Sequence, residues 1–190
     1  MKLTECKVTG HKFDEYYRAY EREMPENPKR ILEIGVQTGD SLLMWKERYP
    51  NALVVGVDND PTCGRPDGIP VVIGDGHDPD TLDAVWQEFG PFDVVIDDGS
   101  HNWADQIRTF EHLIPKMSGG SLYVCEDTHT SYWRGFGDGE TFIARVRRLL
   151  DDLHGYATKS ERSLDLRTLP DTTIGSVHAY RGIVFFRILP

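Results

Sequence analysis

The chain carries two pairs of adjacent acidic residues, and each pair comes directly after a short apolar run. Asp97-Asp98 follows PFDVVI, Glu126-Asp127 follows SLYVC, and a histidine stands three residues after Asp98 (His101) and three after Glu126 (His129). Apolar runs of this kind predict buried parallel strands. Carboxylates crowded at strand ends repel one another unless a cation or a ligand hydroxyl lies between them. Since ligands bind at the carboxyl ends of strands in open α/β sheets, the pairs predict a ligand site that holds a metal ion.

The elements that must position these pairs follow from apolar periodicity. Predicted strands cover residues 30–35, 52–58, 71–73, 93–97 and 122–125, and a C-terminal hairpin covers 176–188 with its turn at Arg181-Gly182. Predicted helices cover 13–23, a stretch that begins at Asp40 or Ser41, a stretch from Pro79 to Phe89, one capped by Ser100, and one from Phe142 to Leu153. This alternation predicts an α/β fold: a doubly wound, mostly parallel, seven-stranded sheet with helices on both faces and a C-terminal antiparallel hairpin. We expect a single domain over residues 1–190, with an N-terminal helical segment at 1–28 and the α/β core at 29–190.

Composition narrows the classes of function. A net charge of −10 argues against a nucleic-acid or an anionic-membrane partner. Three cysteines, far apart and without CxxC spacing, fit a reducing compartment. The N-terminal sequence lacks the apolar region of a signal peptide, and no apolar run approaches the length of a membrane span. We therefore expect a cytoplasmic protein that binds neither nucleic acid nor membrane.

The loop after the first predicted strand, EIGVQTGDS (33–41), has the composition of a cofactor loop. Gly35 and Gly39 let backbone approach a ligand closely, and Asp58, at the end of the second strand, is placed to accept hydrogen bonds from ribose hydroxyls. The dinucleotide pattern GxGxxG is absent, because Gln37 stands where its second glycine would be. Glu33 disfavours a pyrophosphate. S-adenosylmethionine, which is not a polyanion, fits these residues.

Further candidates for the cofactor site come from the other strand ends. Asp75, in Gly74-Asp75-Gly76, can accept from an adenine amino group, although Gly-Asp-Gly is also common turn chemistry. Adjacent residues of a strand point to opposite faces, so Asp97 is expected to face the cofactor while Asp98 faces the metal. The complete set of predicted cofactor-binding residues is Glu33, Gly35, Gly39, Ser41, Asp58, Asp75 and Asp97.

Taken together, these motifs resemble those of a known family. Glu33-x-Gly35-x-x-x-Gly39, Asp58 and Gly74-Asp75 are similar to class I S-adenosylmethionine-dependent methyltransferases. His11-Lys12-Phe13, LEIGVQTGDSLLMW, VIDDGSH and EDTHTSYW resemble, more narrowly, the macrolide-sugar O-methyltransferases of the mycinamicin and demethylmacrocin type. The resemblance runs from about residue 11 to the terminal hairpin. It implies S-adenosylmethionine and Mg²⁺ as cofactors, with the metal held by Asp98, Glu126 and Asp127 and with His101 as catalytic base.

The residues themselves are compatible with that chemistry. Magnesium prefers oxygen ligands and needs few carboxylates, and no Cys/His cluster suggests zinc; manganese and iron stay open. A single acidic pair would more simply cap a helix or form a salt bridge, but two pairs on adjacent strands favour a metal. His101, predicted at the start of a helix, is expected to be neutral and able to take a proton from a substrate hydroxyl; a capping or supporting histidine is the alternative.

The expected acceptor is a small hydroxylated molecule, by resemblance a sugar of a natural product. Tyr132 and Trp133, in a glycine-rich segment, suit a lid over such an acceptor or packing in a core. Members of the family can carry an extra N-terminal domain, whereas this sequence is expected to start at the catalytic one, and residues 155–175 match no motif. Both departures leave the acceptor open, and the number of subunits, including a homo-oligomer, is open as well.

Three alternatives compete with a methyltransferase. An NAD(P)-dependent oxidoreductase accounts for Asp58 but not for the missing GxGxxG or the acidic pairs. A non-catalytic scaffold that binds the cofactor accounts for the loop but makes no use of His101. An iron-dependent hydroxylase, to which part of the family is similar, would use the same acidic strand ends.

Overall fold

The computed structural model describes residues 2–7, 12–155 and 173–189. Its strands are β1 (Arg30–Ile34), β2 (Leu53–Asp58), β3 (Val71–Ile73), β4 (Val94–Asp97), β5 (Leu122–Cys125), β6 (Ile174–Tyr180) and β7 (Ile183–Ile188). Its α-helices are α1 (Asp14–Glu23), α2 (Asp40–Arg48), α3 (Pro79–Phe89), α4 (Trp103–Leu113) and α5 (Phe142–Gly155). His11, quoted in the resemblance, and most of the unmatched segment 155–175 lie outside the described residues. Within the described ranges, no helix is both long enough and apolar enough to cross a membrane.

The seven strands form one sheet in the order β3-β2-β1-β4-β5-β7-β6. Strands β1 to β5 pair in parallel, and β7 pairs antiparallel with both β5 and β6. This confirms the predicted doubly wound sheet with its C-terminal hairpin. The strand order reverses between β1 and β4, and such a switch point is where open α/β sheets bind their ligands.

Helices cover both faces of the sheet and create two apolar cores. Helices α1 and α2 pack on one face, where Tyr20 and Trp45 are fully buried. Helices α3, α4 and α5 pack on the other face, where Phe110 is buried. Strand residues alternate between these cores: Ile96 belongs to the first and Val95 to the second. The acidic residues that end β4 and β5 inherit this alternation, so neighbours in sequence separate onto opposite faces.

Two helix starts differ from the predictions. Helix α2 is preceded by Gly39 in the left-handed region (φ 83°), so neither Asp40 nor Ser41 is its N-cap. Helix α4 is capped by Asn102, whose side chain accepts from the backbone N–H of Ala104, and the predicted cap Ser100 was wrong. The chain stays outside the helix for two residues beyond Ser100, because the turn that holds His101 must be completed first.

Helix α1 is fixed to the C-terminal hairpin through one buried carboxylate. Glu23, at the end of α1, accepts hydrogen bonds from the His178 ring, the Tyr180 hydroxyl and the Arg187 guanidinium. Burial alone would raise the pKa of Glu23, but these donors outweigh it and lower the pKa. The carboxylate therefore stays charged, and the other end of α1 is held over the carboxyl ends of β1, β4 and β5.

Candidate active site

A cavity of about 480 Å³ lies at the carboxyl edge of the sheet. Its walls are the loops that follow β1, β2, β3 and β4, together with Lys12 and Asp127. Seven of the predicted site residues line it: Gly35, Ser41, Asp58, Asp75, Asp98, His101 and Asp127. Four others do not line it and lie deeper or to the side: Glu33, Gly39, Asp97 and Glu126. We refer to this space as the main cavity.

Gly35 brings the loop after β1 against the loop after β4. Its backbone has a positive φ of 92°, and an added Cβ would lie 2.1 Å from the carbonyl oxygen of Asp98. No other residue fits without moving one of the two loops. Gly35 therefore sets how closely the predicted cofactor loop and the predicted metal loop approach each other.

Asp58 shapes the cavity through its hydrogen bonds to backbone. Its Oδ2 accepts from the N–H groups of Val36 (2.7 Å) and Gln37 (2.9 Å), and its Oδ1 accepts from Asp60 (2.9 Å). The carboxylate thus ties the loop after β1 to the loop after β2 while lining the main cavity. Asp75 likewise accepts from the N–H of His77 and lines the same cavity.

Lys12, which was part of the motif His11-Lys12-Phe13 but had no predicted role, lies at the centre of the acidic cluster. The Nζ of Lys12 is 2.7 Å from Asp98 Oδ2, 2.7 Å from Glu126 Oε1 and 3.4 Å from Glu33 Oε1. Its side chain is only 3% exposed. The ammonium therefore supplies a positive charge to carboxylates from three different strand ends.

The remaining contacts of these carboxylates are also internal. The Tyr20 hydroxyl donates to Glu126 Oε1 at 2.5 Å, and the Ser41 hydroxyl donates to Glu33 Oε2 at 2.6 Å. Oε1 of Glu33 is buried and has no hydrogen-bond partner. Glu33, predicted to touch the cofactor, is thus covered by Lys12 and Ser41.

Burial and charge act in opposite directions on this cluster. Burial alone would lower the pKa of Lys12, but Glu126, Asp98 and Glu33 raise it well above its ordinary value, so the ammonium stays charged. Burial raises the pKa of Glu126, and the nearby Asp98 raises it further against the effect of Lys12. Burial likewise raises the pKa of Glu33. The Lys12 ammonium therefore offsets part of the repulsion among these carboxylates, while burial and Asp98 still favour the neutral forms of Glu33 and Glu126.

The described residues contain two groups whose ligand atoms lie close enough to hold a metal ion. One is Asp98, His101 and Asp127, and the other is Glu33, Asp98 and Glu126; within each group these atoms lie within 4.8 Å of one another. The predicted metal residues Asp98, Glu126 and Asp127 are therefore distributed over both groups. Asp98 belongs to both, while Asp127 faces the main cavity and Glu126 faces Lys12.

His101 lies at the open side of this edge. Its Nε2 is 3.4 Å from Asp127 Oδ2, and its buried Nδ1 has no hydrogen-bond partner. It does not open α4 as predicted, since α4 begins at Trp103. Both His101 (φ 57°) and Asp127 (φ 52°) occupy the left-handed region, which costs a residue with a side chain about 1–3 kcal/mol. Gln37 (φ 50°), which lines the same cavity, is the third non-glycine residue with a positive φ among those that the structure describes, and backbone strain of this kind clusters at functional sites.

His77 supports the turn that carries His101, a role that was not predicted from the sequence. Its Nε2 accepts from the N–H of Ser100 (3.1 Å), so its proton is on Nδ1, which lies 2.7 Å from the hydroxyl of Thr109. Gly99 packs so closely on the ring that an added Cβ would lie 2.5 Å from Nε2. His77 therefore positions the turn between β4 and α4.

Asp97 lies behind the main cavity and not in its wall. It is 1% exposed, and its oxygens accept from the Tyr123 hydroxyl (3.1 Å) and the Gly99 N–H (3.4 Å). Burial raises the pKa of Asp97 from 3.8 to about 6. The structure thus places this predicted cofactor residue on the α4 side of the sheet, where it fastens the loop after β4.

A second cavity, of about 420 Å³, opens on the other side of Asp127. We call it the aromatic cavity; it is lined by Phe13, Glu15, Tyr16, His129, Trp133, Arg181 and Gly182. The Tyr16 hydroxyl separates it from the main cavity and lies 2.8 Å from Asp127 Oδ1 and 2.9 Å from the Gly182 carbonyl oxygen. Trp133 is 52% exposed and packs edge-on against His129. Tyr132 is more exposed and does not line the cavity.

Comparisons with known proteins agree with this geometry. No protein-family model matches the chain. It is 36% identical over 186 residues to the 8-demethyl-8-alpha-L-rhamnosyl tetracenomycin-C 2'-O-methyltransferase of Streptomyces olivaceus, and 35% identical over 191 residues to the demethylmacrocin O-methyltransferase of Streptomyces fradiae. These alignments cover 90% and 92% of this chain but 49% and 48% of the relatives. The chain therefore spans about half the length of the curated relatives it matches.

Solved structures extend the similarity to three dimensions. The MycE methyltransferase from the mycinamycin biosynthetic pathway, in complex with Mg and SAH, superposes with a TM-score of 0.83 at 30% identity, covering 100% of this chain and 55% of that one. A complex of MycE with Mg, SAH and mycinamycin VI gives a TM-score of 0.81 at 29% identity. The resemblance and the class I methyltransferase fold predicted from the sequence are confirmed.

The buried Asp97 generates a testable dependence of stability on pH. Because its pKa is raised in the folded state, its contribution to stability is fully present below its unfolded pKa and is lost as pH rises through about 6. We expect Asp97→Asn to raise the free energy of unfolding at neutral and higher pH by about 1–3 kcal/mol relative to the native chain, and to leave it unchanged at about pH 4. Urea denaturation across this range measures the difference.

The exposed Asp67 provides the control, since Asp67→Asn is expected to follow the native chain at every pH. If the curves of Asp97→Asn and the native chain run parallel throughout, Asp97 does not titrate as the structure indicates.

Proposed function

We propose that this chain, whose fold is that of the class I methyltransferases, is an S-adenosylmethionine-dependent and Mg²⁺-dependent O-methyltransferase that acts on a sugar hydroxyl of a natural product. One observation carries the proposal: Asp98, His101 and Asp127 converge in the wall of the main cavity, and Asp127 is hydrogen-bonded to Tyr16, which lines the aromatic cavity. That point is suited to bring a methyl donor and a hydroxylated acceptor together. The names of the relatives support the donor, the metal and the class of acceptor.

The charge of the main cavity supports S-adenosylmethionine over a dinucleotide. Asp40, Asp58, Asp60 and Asp75 all line it, and their carboxylates would repel a pyrophosphate. Gly35 keeps the backbone open beside the reacting end, and Asp58 stands at the end of β2, where ribose hydroxyls are bound in this class of fold. When bound, S-adenosylmethionine supplies a methyl group activated by a sulfonium.

The acidic edge also fits magnesium by the chemistry of its donors. Asp98, Glu126 and Asp127 would hold the ion, since hard divalent cations take carboxylate oxygens and retain water or substrate oxygens. A bound Mg²⁺ lowers the pKa of a coordinated hydroxyl and helps to orient it. Asp127 and one face of Asp98 are open to the main cavity, and Glu126 lies next to them beneath Lys12.

The protein's own contribution to catalysis is positioning and proton transfer. His101 would accept the proton of the acceptor hydroxyl at Nε2, and Asp127, whose Oδ2 is 3.4 Å from the same nitrogen, would stabilise the imidazolium that results. His77 would hold the turn below it through the Ser100 N–H. Asp98, His101 and Asp127 would hold the acceptor oxygen facing the main cavity, where a bound S-adenosylmethionine would supply the methyl group. Most of the rate gain would come from holding the two groups in this orientation.

The aromatic cavity is suited to the acceptor sugar. Phe13 and Trp133 offer ring faces, while Glu15 and Arg181 offer charged groups that can hydrogen-bond to hydroxyls. The cavity adjoins Asp127 through Tyr16, so a sugar bound there would present a hydroxyl toward His101.

The cysteines of the described residues are free, which supports a cytoplasmic location.

The direct test is methyl transfer with purified protein. We expect transfer of a methyl group from S-adenosylmethionine to a glycosylated natural product. Mass spectrometry of the acceptor, across a panel of rhamnosylated and macrolide substrates, measures this transfer. EDTA should abolish transfer, and added Mg²⁺ should restore it, because the acceptor hydroxyl needs the cation for activation. Full activity in EDTA would contradict the metal requirement, and hydride transfer from NADH would favour the oxidoreductase.

His101→Gln tests the proposed base. We expect kcat to fall by about 10²- to 10⁴-fold, because a glutamine amide cannot take up the proton, while the affinity for S-adenosylhomocysteine stays nearly unchanged. Steady-state kinetics and calorimetry measure the two effects. His112→Gln, which alters a histidine paired with Asp83 away from the cavity, is the control and should keep its activity. A His101→Gln enzyme with near-native kcat would exclude His101 as the base.

Trp133→Ala tests the aromatic cavity as the acceptor subsite. Loss of the ring should raise KM for the sugar acceptor by about tenfold and leave KM for S-adenosylmethionine unchanged. Tyr132→Ala removes a neighbouring, more exposed ring that does not line the cavity, and it should leave both constants unchanged. Equal effects of the two substitutions on the acceptor KM would argue that the segment acts only through its folding.

A further inference from the structure

Lys12 occupies the inner of the two groups that can hold a metal ion. The ligand atoms of Glu33, Asp98 and Glu126 lie within 4.8 Å of one another, and the Lys12 ammonium is within 3.4 Å of an oxygen of each. We infer that Lys12 is a built-in competitor of the divalent cation: its ammonium holds Asp98 and Glu126 until the cation takes these carboxylates and displaces it. The inference rests on the proposed function, since it concerns the metal proposed there.

The contacts of Asp98 and Glu126 show why the two cations compete. Asp98 Oδ2 and Glu126 Oε1 each lie 2.7 Å from the ammonium, so one oxygen of each proposed ligand is already occupied. Two cations in contact with the same carboxylates repel each other strongly in a buried site. A divalent ion that binds both residues therefore gains twice the charge interaction of the ammonium but must first remove it.

The inner group is also incompletely satisfied by the lysine. Glu33 is fully buried, yet its Oε1 has no hydrogen-bond partner and lies 3.4 Å from the ammonium. A buried carboxylate oxygen without a donor costs free energy, so this group is not optimised for the ammonium alone. Glu33 offers a ligand atom within 4.8 Å of those of Asp98 and Glu126, so a more strongly charged ion bound among the three would interact with it.

The displaced ammonium has a place to go. Lys12 lines the main cavity, whose volume is about 480 Å³, although its side chain is nearly buried. Its long, flexible stem can swing the ammonium from the carboxylates into this space without a change of secondary structure. Metal binding would thus move a positive charge from the acidic cluster to the wall of the main cavity. Lys12 is therefore a positioning residue for the acidic cluster and for the main cavity.

Metal affinity measured without turnover tests this role. Calorimetric titration with MgCl₂ and with MnCl₂ should show binding at least about tenfold tighter to Lys12→Met and to Lys12→Gln than to the native chain, because the competing charge is gone. Lys46→Met removes a lysine outside the cluster and should bind the ions as the native chain does. Equal or weaker binding by the folded Lys12 variants would overturn the inference.

A second measurement uses the native chain and so does not depend on the folding of any variant. Acetylation of lysines, followed by mass spectrometry, should modify Lys12 several-fold faster with saturating Mg²⁺ than in EDTA, with Lys46 as internal reference. If Lys12 is acetylated no faster with Mg²⁺ bound than in EDTA, the displacement is overturned.

The outcomes also separate this inference from the proposed function. If the native chain and the Lys12 variants bind Mg²⁺ with equal affinity, the competition alone is refuted. Binding by the variants but not by the native chain supports the competition and refutes a Mg²⁺-dependent native enzyme. Absence of binding in all of them refutes both.

Discussion

The contact of the Lys12 ammonium with Glu33, Asp98 and Glu126 is the interaction on which the site depends. These carboxylates come from the ends of β1, β4 and β5, and the ammonium offsets part of their mutual repulsion. The lysine precedes α1, so its contacts with the cluster also fix where that helix crosses the sheet. Helix α1 then delivers Tyr20 to Glu126 and Tyr16 to Asp127. The contacts between one lysine and three carboxyl groups thereby set the position of an entire helix.

Strand alternation divides each acidic pair between a supporting task and a reactive one. Asp97 points to the α4 side, where Tyr123 and Gly99 hold it and where burial disfavours its charge. Asp98 points to the α1 side, where it is paired with the Lys12 ammonium. The same geometry puts His77 beneath the turn that carries His101. Reactive groups at the cavity are thus backed by supporting residues, of which Asp97 lies outside the cavity wall and His77 forms part of it.

The sequence predicted the sheet and the acidic strand ends well, because both follow from local patterns. Apolar runs bounded by turns locate β1 to β5, and acids at strand ends must meet where parallel strands end. Lys12 and His77 escaped prediction because their roles arise from contacts 86 and 23 residues away in the chain. The cap of α4 was predicted at Ser100 but lies at Asn102, because a left-handed turn at His101 cannot be predicted from residue types. Long-range contacts and unusual backbone torsions are what a single sequence conceals.

The partition formed by Tyr16 separates two spaces that are built from different parts of the chain. The main cavity is built mostly from loops of the parallel sheet, whereas the aromatic cavity is built from the start of α1, the segment around Trp133 and the hairpin turn at Gly182. Substitutions in the latter segments leave the strand ends untouched. Libraries randomised only at Phe13, Glu15 and Arg181 should therefore change the shape and charge of the aromatic cavity at little cost to folding, which makes this half of the molecule a practical starting point for redesigning what the cavity can hold.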